Sequence, residues 1–421
     1  MSKTMKSKKQ ALVPRLRFPG FREAGEWDNF PLSKISERVT DKVGSRKLPT
    51  VSITAGHGFV SQTEKFGRDI SGQQYKNYIH LKKGQFSYNK GNSKRFPQGC
   101  IYQLTQFEQV AAPNAFISFK FNSDFVPEFF KGYFDSNFHG YQLLRFITSG
   151  ARSDGLLNIS PDDFFSIKLP TPKKRDEQQK IADCLSSLDA LIAAQADKID
   201  ALKAHKKGLM QQLFPREGET APRLRFPEFR DAGEWKEKKL GSLIEEYREK
   251  TTKQDEFEVL TSAREGLVRQ RDYYDNSRIT ERNNVGFNII PPCYITYRSR
   301  SDDSRFFFNE NNLGITGIIS TYYPVFRMLD GSNKFFVELL SQYSRKIGKH
   351  SVGTSQTVLS INELGKIELP IPKKEEQKRI ADCLLPLDAL IAAHTEKLDA
   401  LKAHKKGLMQ QLFPSPDAVG V

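Results

Sequence analysis

The chain has 421 residues, and its 65 Lys and Arg residues against 50 Asp and Glu residues give a net charge of +15. Hydrophobic residues make up 38% of the chain, enough for two or three folded domains, and this excludes a wholly disordered protein. The basic excess indicates a polyanionic partner, and the lack of any apolar run near roughly 18 residues excludes a membrane-spanning helix.

The chain is an internal duplication. Residues 14–27 read PRLRFPGFREAGEW, and residues 222–235 read PRLRFPEFRDAGEW. A longer segment, residues 181–215, recurs almost unchanged at residues 380–414. A period of about 200 residues is too long for a solenoid repeat, so the sequence predicts two copies of one module.

Each half predicts the same order of parts: a flanking motif, a variable globular segment and a long helix. The predicted segments are an N-terminal arm with its flanking motif (1–32), a first variable domain (33–168), a first repeated helix (169–215), a linker with the second flanking motif (216–240), a second variable domain (241–368), a second repeated helix (369–414) and a tail (415–421).

The variable domains predict an α+β fold in which strands dominate. Strands are expected at residues 101–104, 115–121, 294–297 and 317–325, because these runs are short and rich in β-branched or aromatic residues. Short amphipathic helices are expected at residues 125–134 and 334–344, and turns rich in Asn, Gly and Ser separate the elements.

The repeated segments predict two long coiled-coil helices. Residues 176–213 would span about 57 Å of helix at 1.5 Å per residue. Apolar residues alternate at steps of four and three, the spacing of heptad a and d positions. The predicted spacer positions are Ile181, Leu185, Leu188, Ile192, Ile199, Leu202 and Leu209 in the first copy, and Ile380, Leu384, Leu387, Ile391, Leu398, Leu401 and Leu408 in the second.

The apolar stripe needs a partner, and its own copy predicts an antiparallel pair within one chain. The alternative is that each helix packs on its own variable domain. Gln195 and His394 interrupt the stripes at matched positions, and polar residues at such positions cost stability and can fix register. Pro386 lies near the start of the second helix and is expected to kink or delay it.

The motifs of common enzymes are missing. There is no GxxxxGK[ST] phosphate loop, and the nearest string to an amino-methyltransferase motif, residues 290–293, lacks the leading amide or carboxylate. The acidic pair Asp162 and Asp163 is explained more simply as a helix N-terminal cap or a solvated turn than as a nuclease metal site. The four cysteines have no CxxC spacing, so we expect no zinc site. The basic residues 1–9 are not followed by an apolar region, so we expect no signal peptide and a cytoplasmic protein with reduced thiols.

The types of cationic and amide side chains in the two variable domains indicate how each could contact DNA. Residues 254–333 contain no lysine, so every cation there is arginine, whose planar fork can bind guanine O6 and N7. Amides suit adenine, and lysine suits phosphate or guanine. For any single residue a solvated loop is an equal alternative. The candidate DNA-binding residues are Gln62, Lys65, Arg68, Gln73, Tyr88, Asn89, Lys90, Lys94, Arg95 and Arg152 in the first domain, and Arg264, Gln270, Arg271, Arg298, Arg300, Arg305 and Gln356 in the second.

Nearly the whole chain resembles the specificity subunit of type I restriction–modification systems, HsdS. Each variable domain opens on Trp-x4-Leu and closes on Leu-Pro-x-Pro, followed by Glu-Gln and Ile-Ala. In this sequence the matching positions are residues 27–32, 169–172, 177–178 and 181–182, and then 235–240, 369–372, 376–377 and 380–381. Thr-Gly-Ile-Ile-Ser at 316–320 also resembles the family, whereas residues 112–115 of the first copy have diverged.

The resemblance implies two target recognition domains held apart by antiparallel spacer helices, each reading half of a bipartite double-stranded DNA target. It implies a subunit without catalysis or a cofactor of its own. Two methyltransferase subunits would bring S-adenosylmethionine and methylate adenine, and two restriction subunits, whose presence stays open, would bring ATP and Mg. The alternatives are a stand-alone DNA-modifying enzyme, a coiled-coil adaptor without DNA specificity, and a system that only modifies.

Overall fold

The computed structural model describes residues 11–91, 96–147, 157–264, 266–273, 283–329, 331–354 and 356–415. The candidate residues Lys94, Arg95 and Arg152 lie outside this described part. The chain divides into two units, each described below by itself. Unit 1 comprises Met1–Ala196 and Glu396–Val421, and unit 2 comprises Asp197–Thr395.

Unit 1 carries the first variable domain. Its strands are β1 (Asp28–Pro31), β2 (Ser36–Arg38), β3 (Val51–Thr54), β4 (Gly58–Ser61), β5 (Ile79–Lys82), β6 (Phe86–Asn89), β7 (Cys100–Gln103), β8 (Gln109–Ala112), β9 (Ile117–Phe121) and β10 (Lys168–Thr171). Its helices are α1 (Leu32–Ile35), α2 (Gln62–Phe66), α3 (Pro127–Asp135), α4 (Gly140–Leu144) and α5 (Pro161–Phe165), and it contains the first part of α6 (Arg175–Leu213).

Unit 2 repeats this plan with twelve described strands. They are β11 (Lys236–Lys239), β12 (Ile244–Tyr247), β13 (Glu258–Ala263), β14 (Gly266–Arg269), β15 (Asn288–Ile290), β16 (Ile295–Tyr297), β17 (Arg300–Ser301), β18 (Phe308–Glu310), β19 (Gly317–Ile319), β20 (Val325–Met328), β21 (Thr357–Val358) and β22 (Glu368–Ile371). The helices are α7 (Gln270–Tyr273), α8 (Asn333–Gln342), α9 (Ser344–Gly348), α10 (Ile361–Gly365) and the first part of α11 (Lys374–Leu412).

The two units share the strand order of one four-stranded antiparallel sheet, and the predicted duplication and α+β class are confirmed. An antiparallel sheet runs β2-β9-β6-β7 in unit 1 and β12-β20-β16-β18 in unit 2. The flanks of each variable domain also pair with each other. β1 pairs antiparallel with β10, and β11 pairs antiparallel with β22. The repeated motifs thus close each variable domain at its base, since the chain enters and leaves on adjacent strands.

Most predicted elements form within a few residues of their expected ends, and one is wrong. Residues 317–325 were expected to be one strand, but the structure forms β19 and β20 with a turn between them. The Tyr323 N–H donates to the Ser320 carbonyl at 2.9 Å, which closes the turn. Pro324 follows and has no N–H for a continuous ladder, so the strand is interrupted there.

The two long helices, α6 and α11, each contain 39 residues. Unit 1 contains the first half of α6 and the second half of α11, and unit 2 contains the complementary halves. Within each unit the start of one helix therefore lies beside the end of the other, as in an antiparallel pair. Every predicted spacer position is buried or half-buried. Pro386 lies inside α11, so it does not delay the helix.

Both packing modes weighed from the sequence occur within one unit. In unit 1 the aromatic core of the variable domain includes Ile181 and Leu185 of α6 together with Leu412 and Phe413 near the end of α11. Gly132 of α3 makes this approach possible, because a Cβ there would lie 2.6 Å from the Leu185 side chain. The helices thus form part of each domain's core as well as pairing with each other.

Candidate nucleic-acid interface

A buried ion pair fixes the first flanking motif to α6. Nε and Nη2 of Arg17 donate to the two oxygens of Glu177 at 2.6 and 2.7 Å. The third donor, Nη1, bonds to the Gly25 carbonyl at 2.6 Å, and Trp27 Nε1 donates to Glu177 at 3.3 Å. Because the carboxylate accepts from three donors in a buried site, it holds the flank in one orientation.

Unit 2 repeats this arrangement residue for residue. Arg225 donates to both oxygens of Glu376 at 2.7 Å, and Trp235 Nε1 donates to the same carboxylate at 3.3 Å. Sequence reasoning missed both ion pairs. The signal was available, because the arginine and the glutamate stand at matched places of the two repeated motifs. Nothing in the sequence, however, indicated that residues 160 and 151 positions apart form a pair.

A second duplicated network lies around Asp189 in unit 1. Lys131 of α3 bonds to Asp135 at 2.8 Å and to Asp189 of α6 at 3.0 Å. Lys405 of α11 pairs with Asp189 and lies 3.7 Å from Asp135. Burial alone would raise the pKa of Asp189, but the two lysines hold it below its ordinary value. These four charges join α3 to both long helices.

The matching network in unit 2 has Lys206 at its centre. Its ammonium lies 2.7 Å from Glu338 of α8 and 2.6 Å from Asp388 of α11, and Lys334 lies 2.9 Å from Asp388. Burial would lower the pKa of Lys206, yet the two carboxylates raise it. Lys206 and Lys405, which break the apolar heptads, are therefore explained by acidic partners supplied by other elements.

Two candidate residues of unit 1 are buried in its interior. Gln62 is 1% exposed, and its amide donates to the Val51 carbonyl and accepts from the Ile70 N–H. Tyr88 is 0% exposed, stacks on Phe164 and donates to the Gln98 carbonyl at 2.7 Å. Their polar groups bond within the domain, so these two side chains are not part of its exposed surface.

The structure brings Lys65 and Asn89 together beside strand β3. Lys65 Nζ donates to the Ile53 carbonyl at 3.2 Å, and Asn89 Nδ2 reaches the same carbonyl at 3.4 Å. Lys90 follows Asn89 directly. Arg68 and Gln73 are exposed nearby in sequence, after α2 and in the 3-10 helix Gly72–Asn77. Unit 1 thus offers a group of two lysines, one arginine and two carboxamides.

In unit 2 most candidate residues lie around the loop that contains Asp302 and Asp303, and we call this group the arginine surface: Arg264, Arg298, Arg300, Arg305 and Gln356. Arg264 lies 3.7 Å from Asp303 and over the Phe307 ring. Gln356 Nε2 donates to Asp302 at 3.2 Å. The Ser301 hydroxyl and the Arg305 backbone N–H lower the pKa of Asp303 by bonding to its carboxylate.

The remaining candidates in unit 2 lie outside the arginine surface. Gln270 begins α7, and Arg271 is exposed with its Nε 3.4 Å from Glu258 on strand β13. Whether they contact DNA stays a prediction.

One member of the acidic pair at residues 162–163, Asp163, takes part in a helix cap. The Asp163 N–H donates to Ser160 Oγ at 3.1 Å, and the Asp163 carboxylate accepts from Ser160, which forms a capping box at the start of α5. The second copy keeps the bond between Ser360 and Glu363. Among the residues that the structure describes, no group of His, Cys, Asp or Glu has the geometry of a metal site, and no helix could cross a membrane.

The comparisons with known proteins agree with this geometry. Residues 51–204 and 232–403 match the family model described as type I restriction modification DNA specificity domain, so the two copies each match one domain. The chain is 26% identical over 297 residues to the type I restriction enzyme MjaVIII specificity subunit of Methanocaldococcus jannaschii. That alignment covers 64% of this chain and 66% of the relative, so it spans just under two thirds of that protein.

A second protein of the same organism, the putative type I restriction enzyme MjaX specificity subunit, is 23% identical over 305 residues, covering 69% of this chain and 68% of that protein. Among solved structures, the crystal structure of the type I restriction-modification system S subunit from M. genitalium superposes with a TM-score of 0.57. That superposition covers 96% of this chain and 99% of the other at 15% identity, and it shows a shared fold.

Proposed function

The chain belongs to the type I restriction modification DNA specificity family, and on that premise we propose that it selects the DNA sequence on which a type I complex acts. Each unit would read one half of a bipartite target in double-stranded DNA. The chain itself would catalyse no reaction and hold no cofactor. This division of labour fits a sequence that lacks the motifs of phosphate-binding and methyl-transferring enzymes.

One observation carries the proposal: the scaffold is duplicated while the exposed polar residues are not. Both units keep the same strand order in the four-stranded antiparallel sheet, the same buried arginine–glutamate pair and the same four-charge network. On this common frame unit 1 displays Lys65 and Asn89, whereas unit 2 displays the arginine surface. A protein that reads two different half-sites needs this combination, because base contacts specify and the scaffold only positions.

We further propose that the two long helices set the gap between the half-sites. In other two-part DNA readers, the geometry of the protein fixes the spacing of half-sites in the same way. The helices take part in the domain cores at Ile181, Leu185, Ile380 and Leu384, so each recognition domain is firmly joined to them.

The duplication also supports two identical partners, one for each copy of the flanking motif and helix. We propose two methyltransferase subunits, which would use S-adenosylmethionine to methylate adenine. Restriction subunits that use ATP and Mg would complete a cleaving complex. The support is that the relatives above are named as specificity subunits of type I restriction enzymes.

The test is to express the chain with the modification subunits of its own system and to map methylated adenines across the host genome. We expect one two-part sequence with a fixed gap. Replacing Arg298 and Arg300 together with Ala should relax one half-site and spare the other. Methylation by the purified chain alone would point to a stand-alone enzyme. A complex without sequence preference would point to a coiled-coil adaptor.

A further inference from the structure

A row of side chains in unit 2 alternates between the interior and the surface. Tyr297, Ser299 and Ser301 are buried, whereas Arg298, Arg300 and Asp302 between them are exposed. Such alternation is the period of an extended strand, so the three exposed residues share one face. Consecutive members of that face lie about 7 Å apart, which is about two base-pair steps of DNA.

The segment that carries this row is held rigidly. Strand β17 pairs antiparallel with β21, with Arg300 opposite Val358 and Ser301 opposite Thr357. One position further, Gln356 donates to Asp302, which continues the cross-strand pairing to the tip. A two-stranded antiparallel ribbon of this kind fits the width of the major groove of B-form DNA.

Arg300 is positioned by an aromatic ring and not by an acid. Its guanidinium lies over the Tyr322 ring, 4.0 Å from the centroid. In the part of the chain that the structure describes, this guanidinium has no carboxylate partner, in contrast to Arg264 with Asp303 and Arg271 with Glu258. The charge of Arg300 is therefore not neutralised within the described part of the unit.

Tyr322 is itself fixed to the strand that carries Arg300. The backbone N–H and the hydroxyl of Ser299 both donate to the Tyr322 carbonyl, at 3.2 and 2.6 Å. Ser299 directly precedes Arg300 and is bonded to the backbone of Tyr322, so it holds the guanidinium and the ring close to each other. An arginine stacked on a ring keeps the edge that carries its N–H donors available, and it loses less side-chain entropy on binding.

We propose that Arg300, positioned by Tyr322, reads a guanine in the half-site of unit 2, with the β17–β21 ribbon in the major groove. This inference rests on the proposed function and adds which residue reads which base. The planar fork of arginine matches O6 and N7 of guanine, and no other base presents two acceptors on that edge. Tyr322 is a positioning residue, because it acts through Arg300.

The experiment maps adenine methylation in a host that expresses the chain with its modification subunits, comparing the wild type with Arg300→Ala, Arg300→Lys and Tyr322→Leu. For Arg300→Ala, we expect discrimination at one G·C pair of one half-site to fall about 5- to 150-fold, with the gap and the other half-site unchanged. Lysine keeps the charge but not the fork, so Arg300→Lys should lose discrimination at the same pair. Tyr322→Leu should weaken that same position.

The matched control is Arg248→Ala. Arg248 is an exposed arginine of the same unit, but its guanidinium is bonded to Glu246, and its map should equal that of the wild type. If Arg300→Ala removes all methylation, the map of Arg300→Lys tests the inference instead, because loss of discrimination at one G·C pair is expected there too. A map that keeps its sequence while methylation falls evenly at all sites would show a phosphate contact and overturn the inference, as would an unchanged map. The proposed function fails separately, if the wild type itself shows no two-part sequence.

Discussion

The buried pair Arg17 and Glu177 fixes the first flanking motif to α6 in unit 1. Both side chains are buried, at 7% and 1% exposure, so the loss of one charge leaves the other uncompensated in a dry site. We expect Glu177→Gln to destabilise unit 1 by roughly 3 kcal/mol. Glu376→Gln should do the same to unit 2, because Arg225 is held in the same way.

The two tryptophans make this prediction measurable unit by unit. The chain has two, Trp27 in unit 1 and Trp235 in unit 2. In a Trp235→Phe background the fluorescence change in urea reports the unfolding of unit 1. Glu177→Gln should lower that midpoint, while Glu376→Gln should leave it in place. Equal shifts by both variants would show that the units unfold as one.

His139 is a second residue with a measurable consequence. It is 1% exposed, neither ring nitrogen has a hydrogen-bond partner among the described residues, and its ring meets that of Phe134 edge to face. Burial lowers the pKa of His139 to about 3. The imidazole of the unfolded chain becomes protonated near pH 6.5, whereas that of the folded chain stays neutral. The contribution of His139 to the free energy of unfolding is therefore fully present above pH 6.5 and is lost as the pH falls toward 3.

We therefore expect His139→Leu to flatten the pH dependence of stability. Wild-type unit 1 should lose up to about 1.4 kcal/mol for each pH unit below 6.5 from this group alone. Urea midpoints followed through Trp27 at pH 7, 6 and 5 provide the measurement. His205→Gln, an exposed substitution on α6, should keep the wild-type slope. If His139→Leu and the wild type show the same dependence of the urea midpoint on pH, the protonation of His139 does not destabilise the folded unit.

At the scale of elements, the four-charge network explains why a lysine occupies a heptad position of α11. Lys405 is half-buried between Asp189 and Asp135, and a methionine there would leave both carboxylates with one cation fewer. We expect Lys405→Met to lower the stability of unit 1 by about 1–2 kcal/mol, although an isolated helix would gain from the apolar side chain. Lys406→Met, at the next and exposed position, should change the stability little.

A double-mutant cycle with Asp189→Asn would identify the cause. If the network is the reason, the coupling energy between the two substitutions should be about 1 kcal/mol, measured by urea unfolding. Additive effects would mean that Lys405 acts through its alkyl chain alone.

The sequence predicts those helices and strands whose formation depends on the local pattern of residues. The heptads predicted α6 from residue 176, and the helix begins at Arg175 because Pro170 and Pro172 precede it. Residues 317–325 were expected to be one strand, since β-branched composition does not reveal a turn that depends on the Ser320 carbonyl. The pairing of β1 with β10 joins residues about 140 apart, which periodicity cannot show.

For the whole molecule, the duplication and the family were accessible from the sequence because repeated motifs are visible without geometry. The candidate DNA-binding residues could be selected from the sequence only by residue type. Tyr88 was selected for its type, yet it stacks on Phe164 in the core, whereas Tyr322 was not selected and positions Arg300. Which side of a strand faces solvent depends on register, and one step of register exchanges the two faces.

The last prediction concerns the proposed role of the long helices in setting the gap. Residues 197–200 and 396–399 occupy matched positions between the two four-charge networks, so their removal leaves both networks and both recognition domains intact. Four residues correspond to about 6 Å of helix, or about two base pairs of DNA. We expect the paired deletion to shorten the gap by one to two base pairs and to leave both half-site sequences unchanged, as read from adenine methylation maps. Alanine at the same eight positions is the control and should keep the wild-type gap. If the deleted protein still methylates the original spacing, the helices do not set the gap.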